Sequence, residues 1–325
     1  MSPRLSAAGS LRRGAASLRA NFGLVWLNGV GLLLLSLLTA AGVLLPMLAL
    51  GFDLRAAYDV LVESDFAPLA RELPGRLETL TPAVAGALLG ALALWTLAFL
   101  VYCWFLAGTY GVLIAADRQA PPGPPRGRLA FRTFSGRDFA GWAGRYVWRY
   151  FWVLNVLLFL ATPLLVALGV WVALTAYGAQ RWGAAAGVGF GCGGALPVGF
   201  LFLLFMVWTW GAMADAAREG SGIWAAIRHG LRVVGRRPGA LFLLALFFML
   251  LTALEAGLVL LPASLAIQAL TEARSAARAG ALLSLNAVQW LANAVISTLF
   301  AAAYVALVQS ERRAETPALP RSAAA

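Results

Sequence analysis

Six apolar runs dominate the chain, at roughly residues 22–51, 83–116, 150–178, 183–214, 239–268 and 281–309. Each exceeds the about 20 residues that a helix needs to cross a hydrocarbon core about 30 Å thick. In lipid every backbone N–H and C=O must be satisfied within the structure, so runs of this kind fold as helices. A spanning barrel would need alternating polar and apolar residues instead. The runs predict an all-α, polytopic transmembrane helix bundle of about six spans. Residues 22–309 form its single membrane domain, 1–21 a basic N-terminal tail and 310–325 a disordered C-terminal tail. Composition agrees, with 61% of residues hydrophobic and 12% charged, where soluble domains average about 45–50% and about 25%. Pro46, Pro163, Pro197 and Pro262 lie within the runs, where proline kinks a helix. The first run is too long for a signal-peptide core and follows an arginine-bearing tail, so it is expected to remain as an uncleaved span.

Loop charges orient these spans. The N-terminal tail carries Arg4, Arg12, Arg13 and Arg19; loop 117–149 has seven arginines against two aspartates; loop 215–238 has five arginines against Asp215 and Glu219. On the other side, loop 52–82 has three arginines and six acids. Basic loops stay in the cytoplasm, so both termini are expected there, in a prokaryotic cytoplasmic (inner) membrane. All 25 basic residues are arginine, and with abundant Ala, Gly and Leu this reads as compositional bias. Because the arginines flank spans, where topology requires them, nucleic acid is not an expected partner; the lipid bilayer is. Loop 52–82, DLRAAYDVLVESDFAPLARELPGRLETL and its flanks, has the spacing of one or two short amphipathic helices, and APPGPPRGR begins the inner loop as a proline-rich turn.

A threefold pattern runs through the chain. Three spans close on TYGVLIAADR (109–118), TWGAMADAAR (209–218) and AYVALVQSER (303–312). In each, an aromatic (Tyr110, Trp210, Tyr304) precedes an arginine (Arg118, Arg218, Arg312) by eight residues. The spans before them open on basic, aromatic segments: LRANFGLVWLN (18–28), WRYFWVLN (148–155) and GRRPGALFLL (235–244). The first two place Trp26 with Asn28 and Trp152 with Asn155 at the same end. This predicts three helical hairpins, each introduced by a cytoplasmic interfacial helix. In GIWAAIRHGLRVVGR (222–236), Ile223, Ile227, Leu231 and Val234 form an apolar face beside Arg228, Arg232 and Arg236, which repeat at i, i+4 and i+8. Such arginines suit an anionic headgroup surface, and equally a plain topology anchor.

AREGSGIWAAIRHGLRVVGRRPGALFLL (217–244), together with the matching hairpin openings, resembles a group of prokaryotic six-span membrane proteins. These are similar to the membrane domain attached to some glycerophosphoryl diester phosphodiesterases. The resemblance implies a membrane module and not the hydrolase activity, because the chain has one histidine and no His/Glu constellation. WAAIRHG (224–230) is also similar, through AAxxxG, to the coupling loop of binding-protein-dependent importer permeases, although it lacks the leading acid and the trailing I-x-L-P. That likeness implies a permease subunit with an ATPase or other membrane partner.

Chemistry-bearing residues are few. Glu255 lies mid-run in LLTALEAGLVLLP, where a charge costs about 2.5–3.5 kcal/mol and must be partnered, protonated or turned inward. Asn286, Gln289, Asn293 and Ser297 trace one stripe of the sixth span. Glu255, Gln289 and Asn293 reach equal depth if the last two spans form a hairpin, giving a polar seam that either binds a proton, cation or headgroup or ties two helices together. The overlapping Gly187/Gly191 and Gly189/Gly193 spacings of GVGFGCGG permit close helix contact. Cys103 and Cys192 are apolar packing residues, and His229 sits on the basic interfacial helix. No catalytic, cofactor or metal set is legible, so no cofactor is expected. The expectation is a non-enzymatic membrane module that binds lipid or a partner or moves a small substrate. A permease subunit of an ABC-type or other multi-component transporter is the first alternative and an intramembrane enzyme the second.

Overall fold

A computed structural model describes residues 5–53, 75, 81–121, 127–269 and 275–315. The described residues form helices α1 (Ala7–Ala20), α2 (Gly23–Ala49), α3 (Pro82–Gln119), α4 (Gly136–Trp182), α5 (Ala184–Ala216), α6 (Ile223–Arg236), α7 (Pro238–Ala269) and α8 (Ser275–Glu315), with a 3-10 turn at Arg128–Phe131. No strand occurs among them. Six of these helices, α2, α3, α4, α5, α7 and α8, are long and apolar enough to cross a membrane. The chain is an all-α, polytopic bundle. The helices expected over 52–82, the proline-rich turn after Ala120 and the tail beyond Glu315 lie largely or wholly outside the described residues.

Local sequence sets the helix ends. Ser6 caps α1 by accepting from Gly9 N at 3.1 Å, Thr81 caps α3 ahead of Pro82, and Ser135 caps α4, with Asp138 in its first turn. These side-chain oxygens satisfy amides that a helix start leaves orphaned. Between α4 and α5 the only residue is Gly183, at φ +89°, a left-handed turn position suited to glycine. Pro46, Pro163 and Pro197 sit inside helices that continue past them.

Two segments differ from the sequence expectation. Residues 7–20, where the repeat leads to an interfacial helix before the first hairpin, form α1, which is packed into the bundle with Ser10, Arg13, Gly14, Ser17 and Leu18 buried. A Cβ at Gly14 would stand 2.7 Å from Ala303 N, so α1 and α8 meet backbone to backbone where neither residue has bulk. Among the described residues the second hairpin has no separate interfacial helix. Instead α4 runs unbroken for 47 residues, about 70 Å at 1.5 Å per residue, more than twice the thickness of a hydrocarbon core.

The last helix is the axis of the bundle. Of its apolar stretch 56% is buried, against 6% for α5, and α8 packs on α1, α2, α3, α5 and α7. Its run Ala301–Glu311 is buried throughout. Burial concentrates where the starts of α2, α4 and α7 meet the ends of α3, α5 and α8, which is also the arginine-rich end. There lie Ala107–Ile114 and Ala116 on α3, Phe139 to Leu157 on α4 and Val207 with Gly211–Ala216 on α5. Away from it α4 and α5 expose Leu158, Phe159, Val166, Trp182, Val188 and Phe200. An apolar surface of that extent is matched to lipid.

Candidate functional site

The closing segments of the three hairpins meet at the arginine-rich end, and each buries an acid there: Asp117 on α3, Asp215 on α5 and Glu311 on α8. Three consecutive residues at the end of α8 join them. Glu311 accepts from Arg237 Nε at 2.6 Å, which ties the third hairpin to its own start. Arg312 reaches both oxygens of Asp215, at 2.8 and 3.3 Å, while Ser221 Oγ donates to Asp215 Oδ2 at 3.1 Å. Arg313 stands 2.9 Å from Asp117 Oδ2, and Arg13 Nε donates to Asp117 Oδ1 at 2.5 Å. Each hairpin is thereby clipped to the same turn of α8. Buried charges are tolerated only when paired and further hydrogen-bonded, and Asp215, through Ser221, and Arg13 meet the second condition as well. Arg13 also donates to Pro121 O at 2.9 Å and Asp117 O at 3.0 Å, and Arg149 donates to Ala216 O at 3.0 Å and Arg218 O at 2.8 Å. Guanidinium groups thus cap the ends of α3 and α5, where unsatisfied carbonyls favour a cation.

Asn21, at the corner between α1 and α2, is fully spent. It donates to Ser17 O (2.9 Å) and Phe131 O (2.7 Å) and accepts from Thr133 N and Phe134 N, both at 2.9 Å. Its four bonds fasten the loop after the 3-10 turn to the first hairpin.

The repeated aromatics converge. Trp210 meets Tyr304 edge-on at 5.5 Å and Phe300 at 4.3 Å, while Tyr110 stacks on Tyr150 at 5.9 Å. Beside them runs a polar chain inside the apolar segments: Thr109 Oγ1 donates to Asn28 Oδ1 (2.8 Å), Asn28 Nδ2 to Thr298 Oγ1 (2.7 Å) and Thr298 to Ala294 O (2.6 Å). Asn155, which the pattern equates with Asn28, bonds only within its own helix, to Phe151 O. The signal for Asn28 was the presence of Asn and Thr inside apolar runs. Nothing in the sequence pairs them.

The expected seam is divided. Glu255 is half-buried, its Oε1 buried without a hydrogen-bond partner, and among the described residues neither Gln289 nor Asn293 donates to it. Gln289 and Asn293 are half-buried, and the side chain of Asn286 lies outside the described residues. Ser297 is exposed and donates to Ala294 O in its own helix.

On α6, Arg228, Arg232 and Arg236 are all exposed, and Arg232 and Arg236 both approach Glu315. The buried face is Ala226, Ile227, His229, Gly230 and Val233, a partial turn from the face expected. Leu231 is 53% exposed and Trp224 60%, so these two apolar residues share the outer side with the arginines. The shift comes from α5: a Cβ at Gly230 would lie 2.5 Å from Ala212 N, and Trp208 Nε1 donates to Ile227 O at 2.9 Å. His229 is therefore buried, not interfacial, with neither ring nitrogen hydrogen-bonded. Burial pushes its pKa below the ordinary value of 6.5; Asp215 opposes that and Arg312 reinforces it.

Asp117, Asp215 and Glu311 are each held by a guanidinium, so none stands free as a general base, and no group of three metal-ligating side chains occurs among the described residues. Gly187, Gly191 and Gly194 face α4, while Gly189 and Gly193 face open space; Cys103 is buried and Cys192 exposed. Compared with protein-family models, with curated proteins and with solved structures, the chain matches none.

Proposed function

We propose that this integral membrane protein is a non-enzymatic module that binds anionic lipid at the cytoplasmic leaflet of a prokaryotic inner membrane. The observation that carries the reading is the two-sidedness of α6. One side is fixed to α5 through Gly230 and Ile227, and the other presents Trp224, Arg228, Leu231, Arg232 and Arg236. An aromatic and a leucine at acyl-chain depth, with guanidinium groups at headgroup level, is the chemistry of an interfacial helix. The net positive charge of the loops at this end supports placing it, with both termini, in the cytoplasm. The likeness of 217–244 to the membrane domain of glycerophosphoryl diester phosphodiesterases points the same way. A permease subunit draws less support, because Ala226 and Gly230 of its AAxxxG stretch are committed to packing within the chain.

The test is lipid retention measured by native mass spectrometry after extraction from mixed bilayers. Anionic phosphatidylglycerol is expected to be retained over phosphatidylcholine. Arg228→Gln should weaken it about fivefold, since a basic residue at an anionic surface contributes about 1 kcal/mol. Arg232→Gln and Arg236→Gln should each do less, because both guanidinium groups already share Glu315. Equal retention of the two lipids, unaltered by Arg228→Gln, would refute the reading.

A further inference from the structure

A cavity of about 240 Å³ lies between α2, α3, α5 and α8, lined by one or more residues from each. Its position follows from the helices that build it. Asn28 is five residues into α2, and Tyr110 is nine residues from the end of α3, which puts the polar floor about 8–14 Å inside the bundle at 1.5 Å per residue. The cavity runs from there past Phe105 and Leu32 towards Tyr102 and Ser297, both exposed. These depths fall within a hydrocarbon layer about 30 Å thick, so the medium at the opening is acyl chain and not water.

The lining includes no charged residue. Apart from Tyr102 and Ser297 at the opening, its polar groups are at the floor and are short of acceptors. Tyr110 is buried, and its hydroxyl makes no hydrogen bond among the described residues; the same holds for the indole N–H of Trp210. Asn28 uses one amide proton on Thr298 and has a second to give. An anion buried here would have no counter-charge and would bear a desolvation cost that neutral donors cannot offset. An uncharged oxygen acceptor matches the set. A volume of about 240 Å³ is below the roughly 300–1,000 Å³ of sites that enclose a drug-sized ligand. It holds a small polar end and a few methylenes, with the remaining chain leaving past Ser297.

We infer that this cavity is a binding site for an uncharged long-chain lipid bearing a hydroxyl or carbonyl group, taken up polar end first from the hydrocarbon layer, with Tyr110 and Asn28 as its hydrogen-bond donors. The site is separate from the anionic-lipid face of α6 and shares no residue with it.

The experiment uses the full chain in phosphatidylcholine nanodiscs with a diazirine-bearing hexadecanol, read by peptide mapping after photolysis. Labelling is expected on α3 and α8 near Tyr102 and Ser297. It should saturate and be displaced by unlabelled hexadecanol at least tenfold more readily than by hexadecyl phosphate or hexadecyltrimethylammonium. Tyr110→Phe keeps the ring stacked on Tyr150 and should raise the half-saturating concentration about fivefold, the worth of one hydrogen bond of about 1 kcal/mol. Ser297→Phe, at an exposed position that leaves the floor intact, should abolish saturable labelling, while Arg228→Gln should leave it unchanged. Labelling that never saturates and ignores Ser297→Phe is contact with surrounding lipid only and overturns the inference, as does displacement by hexadecyl phosphate equal to that by hexadecanol. Loss with Arg228→Gln would transfer the lipid to α6 and overturn it too.

Discussion

Replacing Arg13 by Gln removes the most deeply enclosed guanidinium at the arginine-rich end. Its side chain is 1% exposed and makes one charge-assisted bond to Asp117 Oδ1 and bonds to the carbonyls of Pro121 and Asp117. Breaking a buried pair by deleting one partner costs about 3–5 kcal/mol, because the other charge is left in low dielectric. Here Arg313 stays 2.9 Å from the other oxygen of Asp117 and holds part of that charge, which lowers the expectation to about 2–4 kcal/mol. Asp117→Asn alone withdraws a carboxylate from two guanidinium groups, of which Arg313 is the more exposed. The double variant Arg13→Gln/Asp117→Asn leaves no unpaired carboxylate at this point, so its cost should fall short of the sum by about 1–3 kcal/mol. Reversible unfolding by SDS titration in mixed micelles, followed by tryptophan fluorescence, reads all three. Arg145→Gln is the control: Arg145 and Glu219 are 64% and 59% exposed at 3.3 Å, and the change should cost at most about 0.5 kcal/mol. Additive costs, or an Arg13→Gln effect no larger than the control, would refute the claim that buried pairing holds the hairpins together.

Asn21→Ala strips four hydrogen bonds from buried and half-buried backbone groups and should cost about 2–4 kcal/mol in the same titration. Asn21→Asp, whose second oxygen would face the carbonyl oxygens of Ser17 and Phe131, should cost at least as much. Glu255→Leu should leave stability unchanged or raise it by about 1–3 kcal/mol, since Oε1 is buried without a partner; a clear loss would restore the seam with Gln289 and Asn293. His229 has a lowered pKa from burial, faced by Asp215, Arg312, Glu315 and Arg232. Above pH about 6.5 the imidazole is neutral both folded and unfolded, and stability is flat with respect to this group. Below it the unfolded chain takes up a proton that the folded one resists, so stability falls as pH drops, and His229→Phe should flatten that slope.

Apolar length made the spans legible: α2, α3, α5 and α7 begin and end within about three residues of the runs that predict them. Hairpin pairing followed from the charge and aromatic repeat. What hydropathy could not convey was which span sits in the middle, because every span is apolar enough for lipid. The information was present in α8 as FAAAYVALVQSER, where small residues allow close approach and Gln309, Ser310 and Glu311 are all buried, Gln309 against Ala214 O of the second hairpin. Arg13 and Asn21 were hidden for a related reason. A short basic segment reads as a topology signal unless its long-range partners are known, and those lie about a hundred positions away, at Asp117 and Phe131. Glu255 drew notice because its cost is local and visible in one span, whereas the Asn28–Thr109–Thr298 chain joins three spans, each modestly polar.

The central place of α8 also sets an order of assembly. Synthesis proceeds from the N-terminus, so α1 to α7 are made before the helix that joins them. Until Arg312 and Arg313 arrive, Asp215 and Asp117 lack partners that α8 supplies, and each carboxylate can remain at the wet edge of the bilayer. The last described helix therefore acts as a keystone: its insertion commits two earlier hairpins to a common centre, and nascent chains ending before it should be open to proteolysis and quality-control factors.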